Sequence, residues 1–410
     1  MRRKTFLGRT AAALALPLVA ACSSRRPYPD SRHLVSTEAD RNAYLQSMLQ
    51  KLCTEIGPHP VGSPEYDRAA RVVKEEMDKA LPEVYLDTFE FERWVLKGQP
   101  EFSVAGQKLE TYPGHGSSGT GEPGVTGVLR RIDDEGGVPF AIVDPDTDQQ
   151  LAYVTLARYG RAVPLPYYSF KKPVKCLPTF NIGLEDRRVL EAAISDRTIV
   201  RAHSLVEFKP GTRTANVVGS IPGQSREEML FIAHLDTVYS SPGANDNTAS
   251  VIAMLMMAHA YSAARNDKRL TFLATTGEEY DKLGAIHYAE RRKAEGTFDQ
   301  IKYLVNLDSL TWGPDMKINT ADDEIMRMIS QIDEELKIPG TPRWEGTDGF
   351  MLDGLPFRSG ETRAVYVNSD GYQLQSLWHR PEDTAETVPA DCVEIWYRLF
   401  DEYVKRIMAI

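Results

Sequence analysis

The chain has 410 residues, of which 42% are hydrophobic, and a formal net charge of -10 at pH 7. That hydrophobic fraction is the fraction of a folded globular protein, and the acidic balance argues against nucleic acid as a partner. The length exceeds one ordinary core, so a main domain with an insertion or a second domain is expected.

The opening segment, MRRKTFLGRTAAALALPLVAAC, joins a basic start to an apolar run and then small residues, the layout of an export signal rather than of a spanning helix. Val19-Ala20-Ala21-Cys22 resembles a bacterial lipobox, in which the cysteine becomes the acylated first residue of the mature protein. Arg2 and Arg3, followed by Phe6 and Leu7, resemble a twin-arginine signal with the spacing off by one, so the export route stays open. Residues 1–22 are read as a lipoprotein signal peptide and the polar, non-periodic residues 23–40 as a tether. Ser23 after the cysteine is compatible with outer-membrane sorting, which predicts a lipid-anchored protein on the periplasmic face of that membrane. Cys53, Cys176 and Cys392 show no paired or metal-type spacing and are expected as buried thiols, with one disulfide plus a free thiol as the alternative.

Tyr44, Met48, Leu49 and Leu52 recur at helical spacing until Gly57, and a second helix opens at Ser63 or Pro64. EVYLDTFEFERWV alternates like a strand, with Val84, Leu86, Phe89 and Phe91 as inward candidates. Between about Leu96 and Lys209 the texture changes to short apolar strands between Gly/Pro turns, with LEDRRVLEAAI as a helix, and reads as a small β-rich unit that shapes access to a site. His59 and His115 are read as loop residues. After TRTANVVGSIPG the pattern becomes strand and helix in alternation, the signature of an α/β sheet covered by helices.

In that last region three apolar strands end in chemistry-bearing residues. EMLFIAHLD ends in His234 and Asp236, RLTFLATTGEE in Glu278 and Glu279, and IKYLVNLD in Asp308. Asp246 lies in the turn before a helix, and LWHRPEDT supplies His379. Open α/β sheets bind ligands at the carboxyl ends of their strands. Taken singly each residue reads as a cap, a turn or a surface charge; taken together, imidazoles and carboxylates at strand ends fit a two-metal hydrolytic centre. No Gly-x-Ser-x-Gly elbow and no His-Glu-x-x-His motif competes with it.

The blocks HLD, GANDN, GEE, NLD and WHRPEDT, in that order, resemble the motifs of the M28 family of zinc aminopeptidases, from about Leu45 to Phe400. The resemblance implies a three-layer α/β/α sandwich with a mostly parallel central sheet. Residues 41–95 and 210–410 would form the peptidase domain, and 96–209 a small β-rich inserted domain similar to the protease-associated insertion of many members. It implies two zinc ions per chain, bridged by Asp246, with His234 and Asp308 on one and Glu279 and His379 on the other. Glu278 then matches the general base, and Asp236 the carboxylate that fixes the tautomer of His234. A cis peptide bond at Asp246-Asn247 is also implied. The chain departs from the pattern at Trp378 and Arg380, where the family often has Tyr and Thr, and Trp378 has only its indole N–H to donate. TDGFMLDGLPF resembles a family segment in which Asp348 matches, giving Asp348 and Trp378 as candidates for the substrate pocket.

The implied activity is removal of N-terminal residues from peptides. The alternatives within the same fold are a carboxypeptidase or dipeptidase and a glutaminyl cyclase, and outside it a non-catalytic binding module.

Overall fold

The computed structural model describes residues 29–132, 139–165, 177–311, 317–338, 343–344, 352–358, 361–369 and 376–410. Cys22, Cys176 and Asp348 lie outside these residues, as does the signal segment. Strands in the first half are β1 (Glu83–Val104), β2 (Gln107–Leu109), β3 (Thr111–Pro113), β4 (Val125–Arg131), β5 (Phe140–Val143), β6 (Gln150–Leu156), β7 (Thr179–Ile182) and β8 (Ile199–Ile221). Those in the second half are β9 (Glu228–His234), β10 (Arg269–Thr275), β11 (Ile301–Leu307), β12 (Lys317–Asn319), β13 (Arg343–Trp344) and β14 (Arg363–Asn368).

The heart of the sheet is the parallel set β14-β11-β9-β10, with β8 closing it antiparallel on β10. Its strands are buried on both faces and sort their side chains by parity. Met229, Phe231 and Ala233 of β9 face one core, while Leu230 and Ile232 face the other. The first core is closed by α1 (Glu38–Leu49), α2 (Pro64–Ala80), α4 (Ala249–Ala260), α6 (Asp323–Leu336) and α7 (Ala390–Ala409). The opposite core is closed by α5 (Leu283–Ala294). The α/β/α layering expected from the sequence is thus present. α4 is apolar all round, and every residue from Ala249 to His259 is buried, because it lies between the sheet and an outer row of helices.

The segment between β1 and β8 has its own hydrophobic core, built from Phe102, Leu129, Phe140, Val154, Phe180 and Val200 with α3 (Arg187–Ser195) packed on it. It is not a separate sheet. β1 and β8 pair over almost their full length, and β4 joins β8, so one sheet of 14 strands runs through both cores. The positions 95/96 and 209/210, chosen from texture as boundaries, both fall inside these continuous strands, because a change in composition does not interrupt a backbone ladder.

Two sequence expectations need correction. Val84 and Leu86 cannot share a face with Phe89 and Phe91, since side chains alternate along a strand and the first register shift of β1 comes only after Phe91. Leu86 is accordingly 42% exposed, and Phe89 stacks on His287. The polar stretch read as a tether to residue 40 is already docked at Ser31, whose backbone N–H donates to Ser262 and whose hydroxyl bonds Nδ1 of His259 at 2.7 Å.

This docking point leads to a buried charge. Nε2 of His259 lies 3.8 Å from Glu76 Oε2, and Lys79 donates to the same carboxylate at 2.7 Å. Burial pushes the Glu76 carboxyl up, but His259 and Lys79 outweigh it and bring it down from 4.5 to about 2. A carboxyl held below its ordinary value stabilises the fold fully above that ordinary value, and the contribution is lost as pH falls through the folded value. Glu76→Gln is expected to lower stability by about 1–2 kcal/mol at neutral pH, a figure reduced for solvent screening. In denaturant titrations the gap from wild type should close as pH drops from 4.5 toward 2. A gap constant over that range would show that packing, not charge, sets the effect.

Candidate metal centre

All five candidate ligands converge at the carboxyl edge of the parallel strands. His234 is the last residue of β9, and Asp308 follows β11 directly. Glu278 and Glu279 occupy a single turn of helix after β10, and Asp246 the turn that opens α4. His379 enters from the loop before α7 with a left-handed backbone, φ 59°, an unusual conformation for a residue with a Cβ. The Asp246-Asn247 peptide bond is cis.

Two groups of three form, and Asp246 belongs to both. His234, Asp246 and Asp308 bring one donor atom each within 4.8 Å of one another, as do Asp246, Glu279 and His379. The two oxygens of Asp246 are divided between the groups: Oδ1 lies 3.3 Å from His234 Nε2, and Oδ2 lies 3.6 Å from His379 Nε2. His234 Nε2 is 3.8 Å from Asp308 Oδ1, and His379 Nε2 is 3.1 Å from Glu279 Oε2. A zinc ion about 2.1 Å from each of its tetrahedral donors sets those donors about 3.4 Å apart. Imidazole nitrogens and carboxylate oxygens at these spacings therefore fit zinc in each group.

The imidazoles are aimed by their other nitrogens. Nδ1 of His234 donates to the main-chain carbonyl of Asp236 at 2.9 Å, and Nδ1 of His379 donates to that of Pro164 at 2.7 Å. A carbonyl only accepts, so both rings carry a proton on Nδ1 and turn Nε2 toward Asp246. The role expected for the Asp236 carboxylate is thus taken by its carbonyl, because Oδ1 stands 4.0 Å from His234 Nδ1. The carboxylate instead accepts from the backbone N–H groups of Glu278 and Glu279 and pins their turn.

The cluster crowds buried carboxylates around two imidazoles. Burial pushes Asp236 up to about 7 and Asp353 up to about 6. Burial also drives Glu278 well above the ordinary range; His234 opposes it, and Asp308, Asp353 and Glu279 add to it. Burial alone would lower both ligand histidines, yet Asp246 and Asp308 hold His234 well above its usual value, and Glu279 raises His379. Asp246 goes the other way: its contact with His234 outweighs burial and lowers it. Negative charge exceeds the positive charge available, and a bound divalent cation in each group would balance it.

Several residues here were missed by the sequence reading. Asp353 accepts a hydrogen bond from Thr275 behind the site, and its only sequence signal is an acid inside an apolar run. Lys282 is buried with Nζ 4.0 Å from Glu278 Oε1. His115, read as a loop residue, is buried against Tyr280, with ring centroids 4.7 Å apart. Asp383 is the fixture of the Asp246 turn, accepting from the backbone N–H and side-chain amide of Asn245 and from the N–H of Asp246. Asn247 then ties that turn to the end of β11, donating to Leu307 O and accepting from Ser309 N–H. His59, as expected, packs in its loop, donating from Nδ1 to Gly57 O.

A cavity of about 390 Å³ opens over Asp246, Glu278, Glu279, Asp308 and His379. Trp378 lines it and stacks on the His379 ring, with centroids 3.8 Å apart.

Asp383→Asn replaces an acceptor oxygen by an amide that faces backbone N–H groups. The variant is expected to bind zinc about 10- to 100-fold more weakly, as when a group that orients a ligand is lost, measured by competition with a chelator. Unchanged affinity would mean that the Asp246 turn holds its shape without Asp383.

The model of peptidase family M28 matches residues 216–404. Among curated proteins, aminopeptidase YwaD of Bacillus subtilis is 22% identical over 371 residues, covering 85% of this chain and 80% of that protein. Leucine aminopeptidase 2 of Trichophyton equinum is 24% identical over 135 residues, 27% of that protein. Among solved structures, a zinc aminopeptidase from B. subtilis shares the fold with a TM-score of 0.70 at 20% identity, covering 89% of this chain and 95% of that one. A peptidase M28 precursor from Shewanella amazonensis gives 0.74 at 16% identity, covering 91% and 95%. The matched segment contains every motif block of the site, so the part of the chain that carries the candidate ligands is the part similar to peptidase family M28.

Proposed function

We propose that the protein is a dizinc exopeptidase that removes residues from the N-terminus of peptides. The observation that carries this reading is the division of the Asp246 carboxylate between two three-residue groups beneath one cavity. The names of the relatives, aminopeptidases of B. subtilis and T. equinum, favour the N-terminus over the C-terminus.

In this reading His234, Asp246 and Asp308 hold one zinc ion, and Asp246, Glu279 and His379 the other. When bound, the ions would polarise the scissile carbonyl and make water a nucleophile near neutral pH. Glu278 lies at the wall of the cavity, committed to neither group of ligands. Its carboxylate takes a proton from the attacking water and returns it to the leaving amine nitrogen. The Asp236 carboxylate holds the Glu278-Glu279 turn so that neighbouring side chains serve different tasks. The indole N–H of Trp378 is the donor offered beside His379 to the oxygen of the tetrahedral adduct. The β-rich segment at 96–209 acts as an inserted unit that shapes access to the cavity.

Glu278→Gln removes the proton acceptor and keeps the shape. It is expected to retain about two zinc per chain by elemental analysis and to lose about 10²- to 10⁴-fold in hydrolysis of aminoacyl-nitroanilides. A variant as active as wild type would remove Glu278 from the role of base, and the absence of stoichiometric metal in reconstituted wild type would sink the dizinc reading.

We also propose that the chain is exported and lipid-anchored through Cys22, facing the periplasm. Support comes from the lipobox-like residues 19–22 after a basic start and an apolar run. Metabolic labelling with radioactive palmitate should mark wild type and not Cys22→Ser; equal labelling of both would overturn the anchor.

A further inference from the structure

Three arginines converge where the 96–209 segment meets the metal site, and two are spent on structure. Arg380 donates from Nη2 to the carbonyls of Tyr159 and Arg161, each at 3.0 Å. Arg161 is paired with Glu110 and Glu382 at 2.7 and 2.8 Å. Arg158 differs. It lies just past β6, lines the cavity over the metal groups and is exposed. Its guanidinium is 5.4 Å from the Tyr159 ring, and among the described residues it has no carboxylate partner.

The backbone that carries Arg158 is fixed on both sides. Ala157 N–H donates to Ile182 O at 2.8 Å, Tyr159 and Arg161 carbonyls hold Arg380, and Val163 N–H donates to the Asn181 side chain at 2.9 Å. Pro164, at the end of the same loop, aims His379. The loop is therefore registered to the metal site, and Arg158 stands at a set place beside it. Asp246, Glu279, Asp308 and the two histidines are committed to one another, which leaves a five-donor cation facing a cavity whose acids, Glu278 apart, are already engaged.

We propose that Arg158 is a specificity residue that receives a carboxylate of the substrate, so that the favoured substrates are short peptides carrying a carboxylate inside the same cavity. The inference rests on the exopeptidase reading above. A guanidinium matches a carboxylate with two parallel hydrogen bonds, which an amide of the same shape cannot reproduce. A cavity of about 390 Å³ lies at the low end of small-ligand clefts, so the carboxylate must sit close to the scissile bond. It is either the free C-terminus of a dipeptide or an acidic side chain at the first or second residue.

The test uses the full chain, detergent-solubilised and zinc-loaded, in three substrate pairs that differ only in that charge. These are Ala-Ala against Ala-Ala-amide, Glu- against Gln-nitroanilide, and Ala-Glu-amide against Ala-Gln-amide. In at least one pair wild type should favour the acid by about tenfold or more in kcat/KM, the scale of a charge-assisted bidentate contact. Arg158→Gln should bring that ratio to about one, and Arg158→Lys should keep part of it; the pair that responds identifies the source of the carboxylate. Equal rates within every pair for wild type, or a ratio unchanged in Arg158→Gln, overturns the assignment while cleavage of the neutral members leaves the exopeptidase reading standing. If zinc-loaded wild type cleaves no member of any pair, the exopeptidase reading fails and this proposal fails with it.

Discussion

The structure is organised by a surplus of buried negative charge. Asp236, Asp246, Glu278, Glu279 and Asp353 are all buried at one sheet edge with Asp308 beside them. Ionised carboxylates removed from water are costly unless each is paired or hydrogen-bonded. The protein supplies partial remedies: backbone N–H groups for Asp236, a threonine hydroxyl for Asp353, Lys282 near Glu278 and two imidazoles for Asp246. These leave Glu278, Asp236 and Asp353 displaced toward their neutral forms. A site assembled at this electrostatic cost fits the proposed cations, and Asp246 is the carboxylate that both groups share.

That demand explains the rigidity around Asp246. Its turn is clamped from the His379 side by Asp383 and from the β11 side through Asn247. The end of β11 and a distant loop are thereby cross-linked through three consecutive residues, 245–247. The apolar α4, buried all round, begins immediately after them. The turn cannot slide without moving a helix that has no free face.

The parallel heart of the fold and the gathering of the candidate ligands at its edge were legible in sequence because both follow short-range rules. Apolar runs ended in His234, Glu278 and Asp308, and strands of one direction place such ends along one edge. What stayed hidden was long-range or conformational. Nothing in the texture at residues 95 or 209 signals that β1 and β8 run on without a break, since a ladder depends on a partner more than a hundred residues away. The reading of Val84, Leu86, Phe89 and Phe91 as one face ignored the alternation that a strand imposes on any such list. His115 gave no pattern because its packing against Tyr280 and Trp94 exists only after the segment folds back.

The continuity of the sheet also fixes the relation between that segment and the site. The segment supplies the carbonyl that sets the His379 tautomer, a ring behind Glu279 and an arginine at the mouth of the cavity. Such contacts need placement to within a hydrogen bond, which a unit hinged on flexible linkers would not keep. The paired β1 and β8 strands, linked by backbone hydrogen bonds over most of their length, give the segment a stiff attachment to the peptidase sheet. Trp94, within β1 and buried, donates its indole N–H to Ser117 and packs against His115 and Tyr239 at the point where the two cores meet. The candidate metal centre is therefore a product of both cores, with most of its carboxylates set by the parallel strands and the aim of one imidazole set by the segment between β1 and β8.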